Sequence, residues 1–339
     1  MTTVESSSAN LAPVPTPSSS SIAYSVVIEW ENVKLAESDR ALEMLRRLSM
    51  QMAALARRDG PLRGEVLLIC DRDDEDERRE LTGMLDRTFG AGASDVKVLT
   101  ITGKYYEKKN KGAASARGSI VVFLDSDVIP EENWLELMVS PFDRPEVDIV
   151  AGTTYLDPTD LYAKAFAAFW FFPPRSREEG LAPAQLIFAN NIALRRELLL
   201  QNPLPDLPQF RGQLGALIQK LREQGAHMFV QRGARCSHPA PNGFIHFIRR
   251  AMCEGHDNVI RAQRESGKTQ LPWRQSYWSL RSLLGREFRA IRERSEPLGL
   301  TAAPRVTASA LALAYAAIAG AGEVATRWNP DWVRRNFAI

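Results

Sequence analysis

Asp125 and Asp127, one residue apart, have the type and spacing in this chain that most directly suggest chemistry. They close the apolar run Ile120-Val121-Val122-Phe123-Leu124, with Ser126 between them. Two carboxylates this close repel unless something positive lies between them. A hard divalent cation that also holds a substrate phosphate is the usual answer, and a solvated turn after a strand is the alternative. The β-branched run is bounded by Gly118 and Pro130, which predicts a strand buried on both faces. Its acids then emerge at the carboxyl edge of an α/β sheet, where ligands bind.

The elements that must position this pair come before it. Tyr24–Ile28 reads as a first strand ending in Glu29-Trp30-Glu31-Asn32. A helix follows, capped by Ser38 or Asp39, with Ala41, Leu42, Leu45, Leu48, Met52 and Leu55 on one face. Glu65–Cys70 is a second strand ending in Asp71, and Val96–Thr100 is a third. The segment from Gly103 to Gly112 contains Lys104, Lys108, Lys109 and Lys111 and leads into a helix predicted over 113–116. Lysines and free backbone N–H groups at a helix start suit a diphosphate, with Lys104 and Lys109 as its ligands. Alternating strands and helices predict an α/β fold with a mainly parallel, doubly wound sheet. Neither a G-x-G-x-x-G turn nor a Walker A loop follows the first strand, which argues against a dehydrogenase or a P-loop enzyme.

In this order and spacing the motifs resemble glycosyltransferase family 2, with its GT-A fold, from about Tyr24 to about His238. In that family the first strand ends in a base-binding segment, which makes Glu29 and Glu31 nucleotide-sugar contacts. An Asp after the second strand reads the base, here Asp71. A helix carries Asn-x-Gly, here Asn110-Lys111-Gly112, with Lys109 where the family has arginine. The metal-binding Asp-x-Asp is Asp125-Ser126-Asp127, followed by Trp134-Leu135. The stretch Phe188 to Arg196 resembles the strand near the reacting sugar and places Asn190 and Asn191 on the acceptor side. A late histidine that completes the metal site in many GT-A enzymes is matched by His238.

One departure stands out. The family's Glu-Asp pair supplies the general base on the acceptor hydroxyl. Here that place reads Phe210-Arg211-Gly212-Gln213-Leu214, so Gln213 stands in the catalytic position without a carboxylate, beside Arg211. Asp157, Asp160 or His246 could supply the base instead, or the enzyme could be retaining. A phosphate acceptor is already ionised and needs no base. The resemblance implies a Mg²⁺- or Mn²⁺-dependent transferase that moves sugar from a nucleotide-diphosphate sugar to a glycan, lipid or polyprenyl-phosphate acceptor. Gln213 also motivates a non-catalytic sugar-nucleotide binder. A nucleotidyltransferase would need a Gly-rich, Arg-containing loop after the first strand, which is absent.

The 339 residues divide into a Ser/Pro-rich tail over 1–21, expected to be disordered, a GT-A domain over 22–240 and a helical region over 241–339. Within the GT-A domain, 22–130 is the nucleotide-sugar half and 131–240 the acceptor half. A net charge of +2 gives no reason to expect a nucleic-acid partner. Three cysteines are no disulfide framework and, with no secretory signal, point to a cytoplasmic protein. Cys236, His238, His246, Cys253 and His256 fit no standard zinc spacing. Over 276–294, Tyr277, Leu280, Leu284, Phe288 and Ile291 share one face while Arg281, Arg289 and Arg292 fall off it, as in a helix lying on an anionic membrane surface. The uncharged stretch from Val306 to Gly322 is marginal for crossing about 30 Å of hydrocarbon. A monotopic, re-entrant or protein-docked helix is equally open there, and the inner face of the plasma membrane is the expected place of contact.

Overall fold

The computed structural model describes residues 22–30, 38–184 and 186–337. The tail over 1–21, and Glu31 and Asn32 of the base-binding segment, lie outside the described residues.

The first half alternates as its hydrophobic runs dictate. β1 (Tyr24–Glu29), β2 (Gly64–Cys70), β3 (Val96–Thr100) and β4 (Ile120–Asp125) are joined by α1 (Ser38–Arg57), α2 (Glu75–Phe89) and α3 (Tyr105–Ser115). Every residue of β1 and β2 is buried, as expected for parallel strands covered by helices on both faces. β5 (Ile129–Pro130), α4 (Trp134–Val139), β6 (Ile149–Leu156) and α5 (Leu161–Phe169) follow. Next come β7 (Leu181–Pro183), β8 (Asn191–Arg195), α6 (Arg196–Gln201), α7 (Gln213–Glu223) and β9 (Met228–His238). The sheet runs β3-β2-β1-β4-β8-β6-β9-β5, with β7 paired to β9. β8 lies antiparallel between β4 and β6, while β6 and β9 run parallel. The expected α/β sheet is therefore present, but it is mixed rather than mainly parallel: among the described residues four strand pairings are parallel and four antiparallel.

α3 differs from the expectation in a way that matters for the site. The helix begins at Tyr105, so Lys108, Lys109 and Lys111 lie within it rather than ahead of it. Gly112 explains where two of them point. A Cβ there would sit 2.5 Å from Val27 Cγ1 and Ile69 Cδ1, so the helix lies close against β1 and β2. Lys108 and Lys109 precede Gly112 by four and three residues and share its face. They are driven under the helix, where both are buried.

The C-terminal region forms α8 (Gly243–Ser266), α9 (Trp273–Arg294), α10 (Ala302–Trp328) and α11 (Pro330–Phe337). An aromatic and alanine-rich core joins α5 to α8, α9 and α10 through Phe166, Phe169, Trp170, Phe247, Ile291, Tyr315 and Ala319. Most of the aromatic residues between 160 and 172 thus lie in this core, which crosses the expected boundary at residue 240. In α9 the expected face is divided: Ile291 is buried and Leu280 and Leu284 pack against that core, whereas Tyr277 is 58% and Phe288 40% exposed. Leu283 and Glu287 are buried as well, so packing against α5 and α10 draws in a stripe that only partly overlaps the one that hydrophobicity alone picks out.

Candidate active site

Parallel register sets the ends of three strands side by side. Glu29 of β1 pairs in register with Asp125 of β4, and Asp71 immediately follows β2. Glu29 is buried. Lys109 Nζ lies 2.6 Å from Asp125 Oδ1, and Lys108 Nζ lies 3.3 Å from Asp71 Oδ2. Burial alone would lower the Lys109 pKa, but Asp125, Glu29 and Asp127 outweigh it and the net shift is upward. A buried cation therefore sits among the strand-end acids.

Asp127 and His238 meet across the sheet from β4 to β9. Arg40 of α1 donates through Nε to the Asp127 carbonyl at 2.6 Å. Its Nη2 donates to the Ser237 carbonyl at 2.7 Å and to Ser237 Oγ at 2.8 Å. One guanidinium thus joins the Asp-x-Asp turn to the strand bearing the histidine. His238 Nε2 then stands 3.4 Å from Asp127 Oδ2. His238 Nδ1 is 2.6 Å from the Pro239 carbonyl oxygen, and Phe172 packs against the ring at 5.0 Å. With Nδ1–H donating to that carbonyl, the neutral ring presents the Nε2 lone pair to a carboxylate oxygen. Two lone-pair donors facing each other require a proton or a metal ion between them. Asp127 Oδ1 and Ser126 Oγ are buried with no hydrogen-bond partner among the described residues. Burial raises the Asp127 pKa, and Asp125 adds to this while His238 and Arg40 oppose it.

This chemistry fits a divalent cation at Asp127 and His238. Among the described residues no group of three or more His, Cys, Asp or Glu is placed to hold a metal. Asp125, expected as a second carboxylate ligand, is turned to Lys109 instead, because a buried ammonium needs a counter-charge. One carboxylate with phosphate oxygens is an ordinary set for Mg²⁺, and the imidazole beside it shifts the fit toward a softer divalent ion such as Mn²⁺. The Cys and His residues from 236 to 256 do not converge: Cys253 Sγ donates to the Phe337 carbonyl and His256 pairs with Asp257.

Several expected contacts prove to be committed within the protein. Asn110 Nδ2 donates to the Leu204 carbonyl and its Oδ1 accepts from the Leu204 N–H, both at 2.9 Å. Asn191 Oδ1 accepts from Trp134 Nε1 at 2.8 Å, and its Nδ2 donates to the carbonyls of Thr153 and Ala234. Gly152 makes room for this amide, since a Cβ there would lie 2.3 Å from Asn191 Oδ1. Asn190 accepts from Thr154 Oγ1 through its side chain and from the Asp125 N–H through its carbonyl, which ties β4 to the acceptor half. Lys104 caps α3 and lies 3.3 Å from Asp206, half exposed.

Gln213 opens α7 and is fully buried. Its Oε1 accepts from the Tyr105 hydroxyl, and its Nε2 donates to the Gln209 carbonyl at 3.1 Å. Burial pushes the Tyr105 pKa upward, while the Arg211 charge opposes this. The loop before α7 is held from the C-terminal region. Asp257 of α8 accepts the Phe210 N–H at 2.8 Å and the Arg211 N–H at 2.9 Å, while His256 Nδ1 lies 3.0 Å from Asp257 Oδ1. Of the alternative bases, Asp160 caps α5 through the Ala163 N–H at 2.7 Å. His246 Nδ1 accepts the Asn242 N–H, and burial with the Arg211 charge pushes its pKa down to about 4. Sequence reasoning missed Arg40, Tyr105 and Asp257. No local signal marks them, because their partners lie far away along the chain.

Comparison with known proteins bears on this arrangement. Residues 92–199 match the model of the family described as glycosyl transferase family 2. That span holds Lys104, Lys109, Asn110, the Asp-x-Asp turn, Asn190 and Asn191, and leaves Glu29, Asp71, Arg211, Gln213 and His238 outside it. Glycosyltransferase AglE of Haloferax volcanii is 30% identical over 88 residues, which is 25% of this chain and 28% of the relative. The match thus spans little more than a quarter of that protein. The mannosyltransferase PcManGT from Pyrobaculum calidifontis was solved in complex with GDP-Man and Mn²⁺. It superposes with a TM-score of 0.55 at 15% identity, over 91% of this chain and 89% of that one. Residues 92–199 of this chain thus match glycosyl transferase family 2, within a chain that shares the GT-A fold of that mannosyltransferase.

Proposed function

We propose that the protein transfers a sugar from a nucleotide-diphosphate sugar to an acceptor that is already an anion, a polyprenyl phosphate being the type that fits. The observation that carries the donor side is the Asp127–His238 pair, with its buried, unpartnered Asp127 Oδ1, beside the row of strand-end acids. Asp127 and His238 would hold Mg²⁺ or Mn²⁺ against the donor diphosphate. A cation bound there neutralises the charge that grows on the departing diphosphate. Asp71, steadied by Lys108, and Glu29 take the nucleoside, in line with the family resemblance. Asp125, Ser126 and the buried Lys109 fix the turn on which the donor rests.

The acceptor side follows from proton chemistry. Gln213 cannot accept a proton at neutral pH, and both of its amide groups are occupied. The Tyr105 hydroxyl beside it is held neutral by burial, and His246 has its Nδ1 lone pair engaged. A phosphate oxygen needs no base to attack, and Arg211, on the loop next to Gln213, is the residue suited to bind it. The test incubates purified protein, labelled nucleotide sugar, Mn²⁺ and membrane extract. An acid-labile glycolipid that disappears with chelator, with Asp127→Asn and with Arg211→Ala is expected. Full transfer in excess chelator would remove the metal assignment, and efficient transfer to a soluble hydroxyl acceptor without lipid product would remove the phosphate acceptor.

A further inference from the structure

α10 has two unlike faces. Ala308, Ala312, Tyr315, Ala316, Ala319, Gly322, Glu323 and Thr326 are buried, in a core shared with α5 and α8. The approach to α8 is close: a Cβ on Gly255 would lie 2.0 Å from the Ala319 carbonyl oxygen, and one on Gly322 would lie 2.6 Å from that of Met252. The opposite face is open. From Val306 to Trp328 every exposed position of the helix is apolar, including Leu313, Val324 and Trp328. These positions recur at intervals of three, four or seven and form one stripe about 33 Å long. The solvent face of a helix in a soluble protein ordinarily carries charges, and this one carries none.

The surroundings of the stripe say what covers it. Trp328 is 82% exposed at its end, and exposed Arg305 stands at its start. Arg327 lies 4.8 Å above the Trp273 ring and donates to the Leu271 carbonyl and to Ser276 Oγ. This fixes the start of α9 beside the end of α10. There Trp273, Tyr277 and Trp278 are exposed, and Arg281 stacks on Trp278 at 5.8 Å. Exposed Arg274, Arg281, Arg286, Arg289 and Arg292 line α9. An uncharged stripe ending in tryptophans with arginines alongside matches the boundary between acyl chains and anionic headgroups.

We infer that α10 lies in the plane of an anionic lipid bilayer, its stripe from Val306 to Trp328 in the acyl boundary and the arginines of α9 on the headgroups. The helix does not cross the bilayer. Its inner face holds Glu323, whose Oε1 accepts from Ser279 Oγ at 2.7 Å and from Asn258 Nδ2 at 3.3 Å. Spanning would strip that carboxylate of both donors and separate α10 from α8. Docking of this kind is independent of the transfer reading, although it would carry the Arg211 loop to a lipid acceptor, because Asp257 of α8 holds that loop.

The test sediments the full chain with vesicles of phosphatidylcholine alone and of phosphatidylcholine with phosphatidylglycerol. The expected result is binding to the anionic vesicles, reduced by high salt, and weakened about tenfold or more by Leu313→Glu with Val324→Glu. Both residues are exposed, so the melting temperature of that variant should match the parent. Three results would overturn the inference. One is protein that stays in the supernatant with every vesicle. Another is a double variant that binds as well as the parent. The third is sedimentation equilibrium showing a homodimer that the double variant dissociates, which would assign the stripe to a second copy of the chain.

Discussion

Replacing Lys109 with methionine tests the electrostatic construction of the site apart from any activity. Lys109 is 1% exposed, and its Nζ lies 2.6 Å from Asp125 Oδ1. At that separation and an effective dielectric of about 20 the attraction is roughly 6 kcal/mol, most of it offset by the cost of taking both charges out of water. Methionine keeps the length of the side chain and removes the charge. It leaves Asp125 beside Glu29 and Asp127 with no buried cation between them. Breaking such a pair from one side costs about 3–5 kcal/mol, a large part of the stability of a typical domain. Urea unfolding at pH 7, followed by tryptophan fluorescence, should show that loss. Adding Asp125→Asn removes the stranded charge, so the double variant should recover about 2 kcal/mol relative to the sum of the single effects. A loss below about 1 kcal/mol for Lys109→Met, or strict additivity in the double variant, would refute the role given to the pair.

Other expectations follow from the same geometry. Arg40→Met removes three hydrogen bonds that join the Asp127 turn to Ser237, so differential scanning fluorimetry should show a smaller Mn²⁺-dependent rise in melting temperature, with Arg40→Lys intermediate. Gly112→Ala sets a methyl against Val27 and Ile69, and calorimetry should report a loss of about 1–3 kcal/mol. Asp257→Ala strands the N–H groups of Phe210 and Arg211, and amide exchange over 209–213 should accelerate while exchange in β1 stays slow. Glu287 is buried, and desolvation raises its pKa to about 8. The folded state keeps a proton that the unfolded state releases, so this contribution is complete below the unfolded carboxylate pKa and is lost as pH rises through about 8. Glu287→Gln should therefore raise the urea midpoint at pH 9 and change it little at pH 4.

The sequence by itself determined the parts of this protein that local pattern encodes. The run from Ile120 to Leu124, β-branched and bounded by Gly118 and Pro130, reads as a buried strand, and its position put Asp125 and Asp127 at a sheet edge. Regular alternation of strands and helices before it specified the parallel half, and the absence of a carboxylate at Gln213 was legible directly. Tertiary structure decided how these residues are used. The lysines of α3 looked like phosphate ligands in a loop, but helix packing at Gly112 turned Lys108 and Lys109 inward to Asp71 and Asp125. Asn110 read as a donor contact and instead holds the backbone at Leu204, because a buried amide takes the partners that packing offers. Arg40 carried no signal, since the carbonyls it joins lie 87 and 197 residues away along the chain. The uncharged stretch after Val306 could not be assigned to membrane or core from composition, because alanine suits both. Only the docking of α10 on α5 and α8 divides its residues into a face that the protein covers and a face that it leaves open.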